Sequence, residues 1–311
     1  MSTEQEQALS TLASINYYTA DELAKTSVSR LGGLTNRVYL VSSPRGRHVL
    51  RIPGAGTEEY INRSVELVAA QAASDAGISP KIVASTKDGL LLSEAVDNCE
   101  TMTPKTFNAN SEAVRKAGEA LRRLHGSGAK FANRFELFTM IDDYLKILST
   151  KDVELPEGYN EALASAESVR RALNAHQLPL VACHCDPLSE NFLNTSDRMW
   201  IVDWEYSGMN DPLWDVGDFA IEAELTNENE KNLLSAYFEG NPTSAEMGRY
   251  VIYKAMCDLL WTLWGLIQVA NKNTADDFKA YSQRRFDRCR ALMNSPEFPE
   301  HIRNVSKGDW Q

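Results

Sequence analysis

The run Cys183-His184-Cys185-Asp186-Pro187-Leu188-Ser189-Glu190-Asn191 sets a histidine, an aspartate and an asparagine at the spacing H-x-D-x-x-x-x-N. The apolar run "MWIVD" follows and ends at Asp203. Two chemistries compete for these residues. In the first, Asp186 takes the proton of an attacking hydroxyl, Asn191 reaches a metal ion from the far end of the same loop, and Asp203 brings a carboxylate from the next strand. Phosphoryl transfer needs little more than such a base, a few oxygen ligands for magnesium and a cradle for phosphates. In the second, Cys183, His184 and Cys185 ligate zinc. Adjacent residues on an extended chain point alternately, so the three cannot all face one ion. No C-x-x-C or H-x-x-x-H pair completes a tetrahedral shell, and the cysteines read better as small apolar residues of a buried strand. The first chemistry is preferred.

Phosphoryl transfer also requires a nucleotide cradle, and the first third of the chain supplies candidates. "LGGLTNRVYLV" (31–41) places Gly33, Thr35 and Asn36 in a turn where backbone amides can approach phosphates closely. Arg51, in "HVLRI", is a cation where protein kinases carry a lysine. Glu66, on the following helix, can pair with it. "SEAV" (93–96), with Glu94 and Val96, would be the connecting segment whose backbone meets adenine. Taken singly these are weak signals, since a glycine turn is usually only a turn and an exposed Arg–Glu pair contributes about 0–1 kcal/mol. Their order along the chain, followed by H-x-D-x-x-x-x-N and Asp-Trp-Glu, is what points to a phosphotransferase.

The elements that must position these groups follow from periodicity. Runs 28–43 and 48–54 flank the turn "PRGR" and predict a hairpin. Residues 58–77 read as a helix burying Ile61, Val65, Val68, Ala69 and Ala72, stopped by Gly77. Strands follow at 80–85 and 89–96. After residue 97 the pattern is helical. One helix starts at a Ser111 cap with apolar residues at 114, 117, 121 and 124, and others fit 135–149, 156–176, 212–225, 227–239, 243–270 and 275–293. Strand-like pieces at 178–185, 191–194 and 199–204 hold the opening motif. The expectation is an α+β chain of two lobes: residues 1–96, a small antiparallel sheet with one helix, and residues 97–311, a larger helical lobe.

At 311 residues with 43% apolar and 24% charged residues, the composition is that of an ordinary globular enzyme. A net charge of −11 argues against a general nucleic-acid binder and is compatible with a cationic substrate. The N-terminal run has neither the basic region nor the apolar core of a secretory signal. The apolar window 251–270 is interrupted by Lys254 and Asp258, so it reads as a buried helix rather than a membrane span. Five cysteines suggest free thiols in a reducing cytoplasm.

The motifs "LGGLTNRVYLV", "EEYINRSVE", "CHCDPLSENF", "IVDWEYSGMNDPLWDVGDFAIEAELT" and "LLWTLWGLIQ" together resemble the choline/ethanolamine kinase family, and within it the bacterial choline kinases of the phosphorylcholine-decoration pathway. The resemblance spans about residues 30–290. It implies a two-lobed protein-kinase-like fold shared with aminoglycoside phosphotransferases, ATP and magnesium as cofactors, and phosphorylation of choline by a monomer or homodimer. By position, Asp186 matches the catalytic base, and Asn191 and Asp203 match the magnesium ligands. His184 matches an orienting residue and Asp215 a buried aspartate that ties the catalytic loop to the next helix. Glu222, Trp261, Trp264 and Tyr281 match positions around the choline ammonium. Trp261 and Trp264, three apart on a helix, share a face and could form an electron-rich box for a quaternary ammonium, although tryptophans on a buried helix are usually core. The residues at 185 and 187–189 depart from the family's usual choices.

Ethanolamine and aminoglycosides are alternative substrates, the latter disfavoured by aromatics where several carboxylates would be needed. Protein phosphorylation is disfavoured because "DWE" replaces D-F-G and no A-P-E segment follows. A non-catalytic choline or nucleotide sensor would typically have lost Asp186, Asn191 or Asp203.

Overall fold

The computed structural model describes residues 3–32, 36–54 and 61–308. Gly33 and Thr35 lie outside the described residues, as does part of the run 58–77.

Residues up to 94 build a five-stranded antiparallel sheet of order β1-β2-β3-β5-β4: β1 (Ser27–Gly32), β2 (Arg37–Ser43), β3 (Gly46–Ile52), β4 (Ile82–Ser85) and β5 (Leu91–Glu94). The run 28–43 is thus two strands. The β2–β3 hairpin closes where Ser43 faces Gly46, and Gly46 takes φ 106°, a conformation that suits glycine alone. Alternation puts Tyr39 and Val41 of β2 and His48, Leu50 and Ile52 of β3 inward. Two helices not anticipated from the sequence precede the sheet, α1 (Thr3–Ser14) and α2 (Ala20–Leu23). The first buries Ala8 and Leu12 in the same small core as Val28, Tyr39, Val41 and Leu50.

Helix α3 (Arg63–Asp75) begins at Asn62, whose side chain accepts hydrogen bonds from the Ser64 and Val65 amides. Of the expected apolar face, Ile61 and Ala69 are buried and Val65 and Ala72 half-buried, but Val68 departs from it. Val68 is 46% exposed, while Glu66, Ala69, Ala70 and Ala73 are buried. The reason is electrostatic. Glu66 and Arg63 turn inward to a buried ion-pair network, and that sets the rotation of the helix. The alanines on that face pack into the larger core of the molecule, together with Ile78.

The remainder is mainly helical: β6 (Glu100–Thr101), α4 (Pro104–Ala109), α5 (Ser111–Gly126), α6 (Leu137–Leu148), α7 (Tyr159–Ala175), β7 (Val181–Cys183), β8 (Phe192–Asn194), β9 (Met199–Ile201), β10 (Gly208–Asn210), α8 (Pro212–Glu222), α9 (Asn227–Phe238), α10 (Ser244–Ala270), α11 (Phe278–Met293) and α12 (Phe298–Lys307). The cap of α5 is Asn110, which accepts from the Ala113 amide, rather than Ser111. The apolar positions 114, 117, 121 and 124 are all buried as the spacing predicts. β7 pairs with β10, and β6, β8 and β9 form a second small sheet. These ribbons bracket the loop 184–191 and the residues after β9.

Helix α10 runs through the centre. Its mean hydropathy of 1.2 would suit a membrane span, but 83% of that window is buried within the protein. Both interrupting charges are paired: Lys254 with Glu230, and Asp258 with Arg285 and Arg288 of α11. Gly265 brings α10 and α11 close. A Cβ there would lie 2.3 Å from Ser282 Oγ and 2.7 Å from a Tyr281 ring carbon. Gly265→Ala should therefore push the two helices apart, costing roughly 1–3 kcal/mol of stability. A thermal melt checks this, and an unchanged Tm would show that the seam has room.

Candidate active site

The loop after β7 is shaped by one carboxylate. Asp215, fully buried on α8, accepts the His184 amide at 2.7 Å through one oxygen and the Cys185 amide at 2.8 Å through the other. Its helix starts at Asp211, whose side chain caps the Leu213 amide, with Pro212 in the first turn. Cys185 is held at φ 67°, an uncommon conformation for a residue with a Cβ. The Trp214 indole N–H donates to the Cys185 carbonyl at 3.1 Å. These contacts turn the chain so that Cys183 and Cys185 stay buried while Asp186 is partly exposed.

His184 orients rather than reacts. Its Nε2 meets the Val202 carbonyl at 2.9 Å and its Nδ1 accepts the Asp186 amide at 3.3 Å. A donor at Nε2 and an acceptor at Nδ1 define one neutral tautomer, and burial lowers the ring's pKa to match. Asn191 ends a single 3₁₀ turn (Ser189–Asn191) and donates its side-chain N–H to the Asp186 carbonyl at 3.1 Å, which leaves the amide oxygen for other use. The Asn191 carbonyl accepts the Val202 amide at 2.9 Å, fixing the end of β9 against the loop, and Asp203 follows at φ 69°.

Carboxylates crowd this junction. Burial raises the Asp186 pKa well above the aspartate range, with Glu222, Asp203 and Glu205 adding to it and Arg285 opposing. Burial also raises Asp203, opposed by Arg51. Glu205 is raised to about 7 by burial and by Asp203. Arg51 pairs with Glu66, as the sequence suggested, and also with Asp203 at 3.0 Å. Arg63, not anticipated, bridges Glu66 at 2.7 Å and Glu205 at 3.2 Å. Asn36 is buried, with its amide donating to Glu205 at 3.1 Å. Oxygens of Glu66, Asp203 and Glu205 lie within 4.8 Å of one another. Glu66 and Glu205 of this set are held by arginines, whereas Asp203 with the open amide oxygen of Asn191 gives an all-oxygen pair that suits magnesium rather than a softer metal. The buried Nε and Nη2 of Arg51 have no acceptor among the described residues, which fits a site for phosphate oxygens. His125, Cys183 and Asp215 also converge, but burial raises the Cys183 thiol well above its usual pKa, and the other two bond each other at 3.1 Å.

The segment after β5 is less engaged. The Glu94 side chain is exposed, 4.0 Å from Lys81. The Val96 carbonyl accepts the Cys99 thiol at 3.1 Å, and its N–H has no acceptor among the described residues.

At the other end of the cleft the aromatic residues meet. The rings of Trp264 and Tyr281 are 5.8 Å apart, and Phe278 lies 5.6 Å from Trp264. Tyr206, which the sequence reading missed, packs edge-on to Trp261 at 5.5 Å and accepts the Trp264 indole N–H at 3.1 Å. Its place three residues after Asp203 was the available signal. Glu222 is bound by Arg285, whose guanidinium also lies 4.7 Å over the Tyr281 ring. That arginine and Asp218 were also missed.

Residues 28–253 match the model of the choline/ethanolamine kinase family. The chain belongs to this family. It is similar to the crystal structure of a choline/ethanolamine kinase family protein from Mesorhizobium loti, with 52% identity and a TM-score of 0.87 over 97% of this chain and 99% of that one. Protein LicA of Haemophilus influenzae is 29% identical over 281 residues, 85% of this chain and 79% of LicA. A structure of LicA in complex with AMP aligns with a TM-score of 0.75 at 25% identity, over 94% of this chain and 99% of that one. The α+β architecture is therefore the protein-kinase-like fold, and the protein is a nucleotide-binding phosphotransferase.

Because Asp215 satisfies two buried amides at once, Asp215→Asn leaves one N–H facing an amide donor. The expected cost is about 1–3 kcal/mol of stability, with kcat reduced while the KM for ATP changes little. Denaturation and steady-state kinetics check both, and an unchanged kcat would show that the loop holds its shape without this carboxylate.

Proposed function

We propose that this kinase phosphorylates the hydroxyl of choline with ATP, giving phosphocholine and ADP in the cytoplasm. The observation that carries the reading is the state of the indoles. The N–H of Trp264 is spent on Tyr206 and that of Trp261 on Asp218, at 3.1 and 3.4 Å. An indole has no acceptor to offer an ammonium, so what these two rings present is face rather than hydrogen bonds. A quaternary ammonium needs only that. A primary ammonium would leave donors unmet, a cost of about 1–3 kcal/mol.

In this reading Asp186 accepts the hydroxyl proton while the trimethylammonium rests against Trp261, Trp264, Tyr281 and Tyr206. Residues 1–96 hold the nucleotide, with Asn36 near the phosphates, Arg51 on phosphate oxygens, and Glu94 to Val96 beside adenine. Residues 97–311 hold the alcohol. Asn191 and Asp203 would hold magnesium, which supplies positive charge to the transferring phosphoryl group when bound.

The substrate test is ADP release with magnesium-ATP. Choline should exceed ethanolamine in kcat/KM by at least tenfold, about 1.4 kcal/mol. A preference for ethanolamine would overturn the choline assignment and leave the kinase chemistry standing.

The base has its own test. Asp186 works only when deprotonated, and its pKa is raised, so activity should climb with pH on the acid side. That limb belongs to the whole carboxylate cluster in kcat/KM, which reports the free enzyme. In kcat it should lie at lower pH, because bound cations favour the ionised acids. Asp186→Asn should lower kcat by roughly 10²–10⁴. A variant keeping a third of the turnover would rule Asp186 out as the base.

A further inference from the structure

The ammonium end of the cleft holds three carboxylates and two guanidiniums. Glu222 is bonded by Arg285. Asp258 is bonded by Arg285 at 3.3 Å and by Arg288 at 2.6 Å. Asp218 is bonded by neither, and among the described residues no cationic side chain lies within ion-pair distance of it. It is fully buried one turn before Glu222 on α8. One oxygen receives the Trp261 indole N–H at 3.4 Å, and the other has no partner among the described residues. Asp218 is therefore the carboxylate of these three that no guanidinium pairs, and its one polar contact among the described residues is the edge of a ring whose face lies in the proposed ammonium site.

We infer that Asp218, acting through Trp261, is the positioning residue that makes this site select a cation, and that Glu222 serves mainly to hold Arg285 in place. The inference rests on the cationic-alcohol reading given above. An indole that donates its N–H to an anion gains electron density on its face, and cation–π attraction is electrostatic and strengthens with that density. The low dielectric of the interior lets such a relay act over the width of one ring. Burial and the neighbouring Glu222 raise the Asp218 pKa well above the aspartate range, with Arg285 opposing. A permanent cation arriving at the ring favours the ionised form.

The test compares choline with 3,3-dimethylbutan-1-ol, which has the same shape with carbon in place of the charged nitrogen. Asp218→Asn keeps an acceptor for the indole N–H and removes the charge. It should reduce the choline-to-isostere ratio of kcat/KM at least tenfold while leaving the KM for ATP within about twofold. A packing role alone would lower both alcohols together and leave the ratio unchanged, and that result would overturn the inference. If Asp218→Asn does not fold, Asp218→Ser keeps a polar group beside the indole N–H and removes the charge while leaving Trp261 intact. A several-fold drop in the ratio supports the inference, and an unchanged ratio overturns it. A wild-type protein that does not prefer choline to the isostere would overturn the cationic-alcohol reading and this inference with it. A wild-type preference that survives in Asp218→Asn overturns the inference alone.

Discussion

Everything at the centre of this protein depends on where Asp215 puts the two amides it binds. A carboxylate inside a core is stable only when its lone pairs are filled, and here the His184 amide, the Cys185 amide and the His125 ring fill them. The partners are backbone groups, so the constraint falls on chain direction rather than on one side chain. Cys185 accepts a left-handed conformation, His184 is locked into one tautomer, and the next residue, Asp186, leaves the core facing the cleft. The helix that delivers Asp215 also carries Asp218 and Glu222, so the loop and the proposed ammonium site are set by the same rigid element.

The cleft is crowded with acids held by a smaller number of arginines. Arg51 and Arg63 share Glu66, Asp203 and Glu205 between them, while Arg285 and Arg288 hold Glu222 and Asp258. Burial, with repulsion among the acids added to it, raises Asp186, Asp203 and Glu205 together. Such a surface is complementary to positive charge at both ends, a property that suits a cationic alcohol and a divalent ion.

The sequence made the chemical core legible because its spacing is local. The loop from 184 to 191, the strand ending at Asp203 and the amphipathic helix at 111–126 each declare themselves within one window. What it hid were features decided by distant partners. Valine at 68 looks like a core residue by period, but the pairing of Glu66 with Arg51 rotates the helix and turns Val68 outward. Arg285 sits in "QRRFDRCR", which reads as a solvated face, and only the packing of α11 on α10 shows which arginine is buried. Strand β10 has three residues of low strand propensity and exists because β7 offers it a partner. Helix α1 buries little beyond Ala8 and Leu12, too sparse a stripe to stand out.

The choice of arginine at 51 follows from the same crowding. One guanidinium reaches both Glu66 on α3 and Asp203 beyond β9, and so ties the sheet to the catalytic loop across the cleft. Lysine carries all its donors on one nitrogen and, making the same two pairs, would leave no second nitrogen for another acceptor. The guanidinium meets both carboxylates through Nη1 and so keeps Nε and Nη2 as buried N–H edges without acceptors among the described residues. Leaving such donors unmet costs about 1–3 kcal/mol each, a penalty the fold sustains because the two ion pairs fix the guanidinium from either side. A residue that spans two carboxylates and holds spare donors in place is already organised to receive an anion, which is the geometry the proposed phosphate contact calls for.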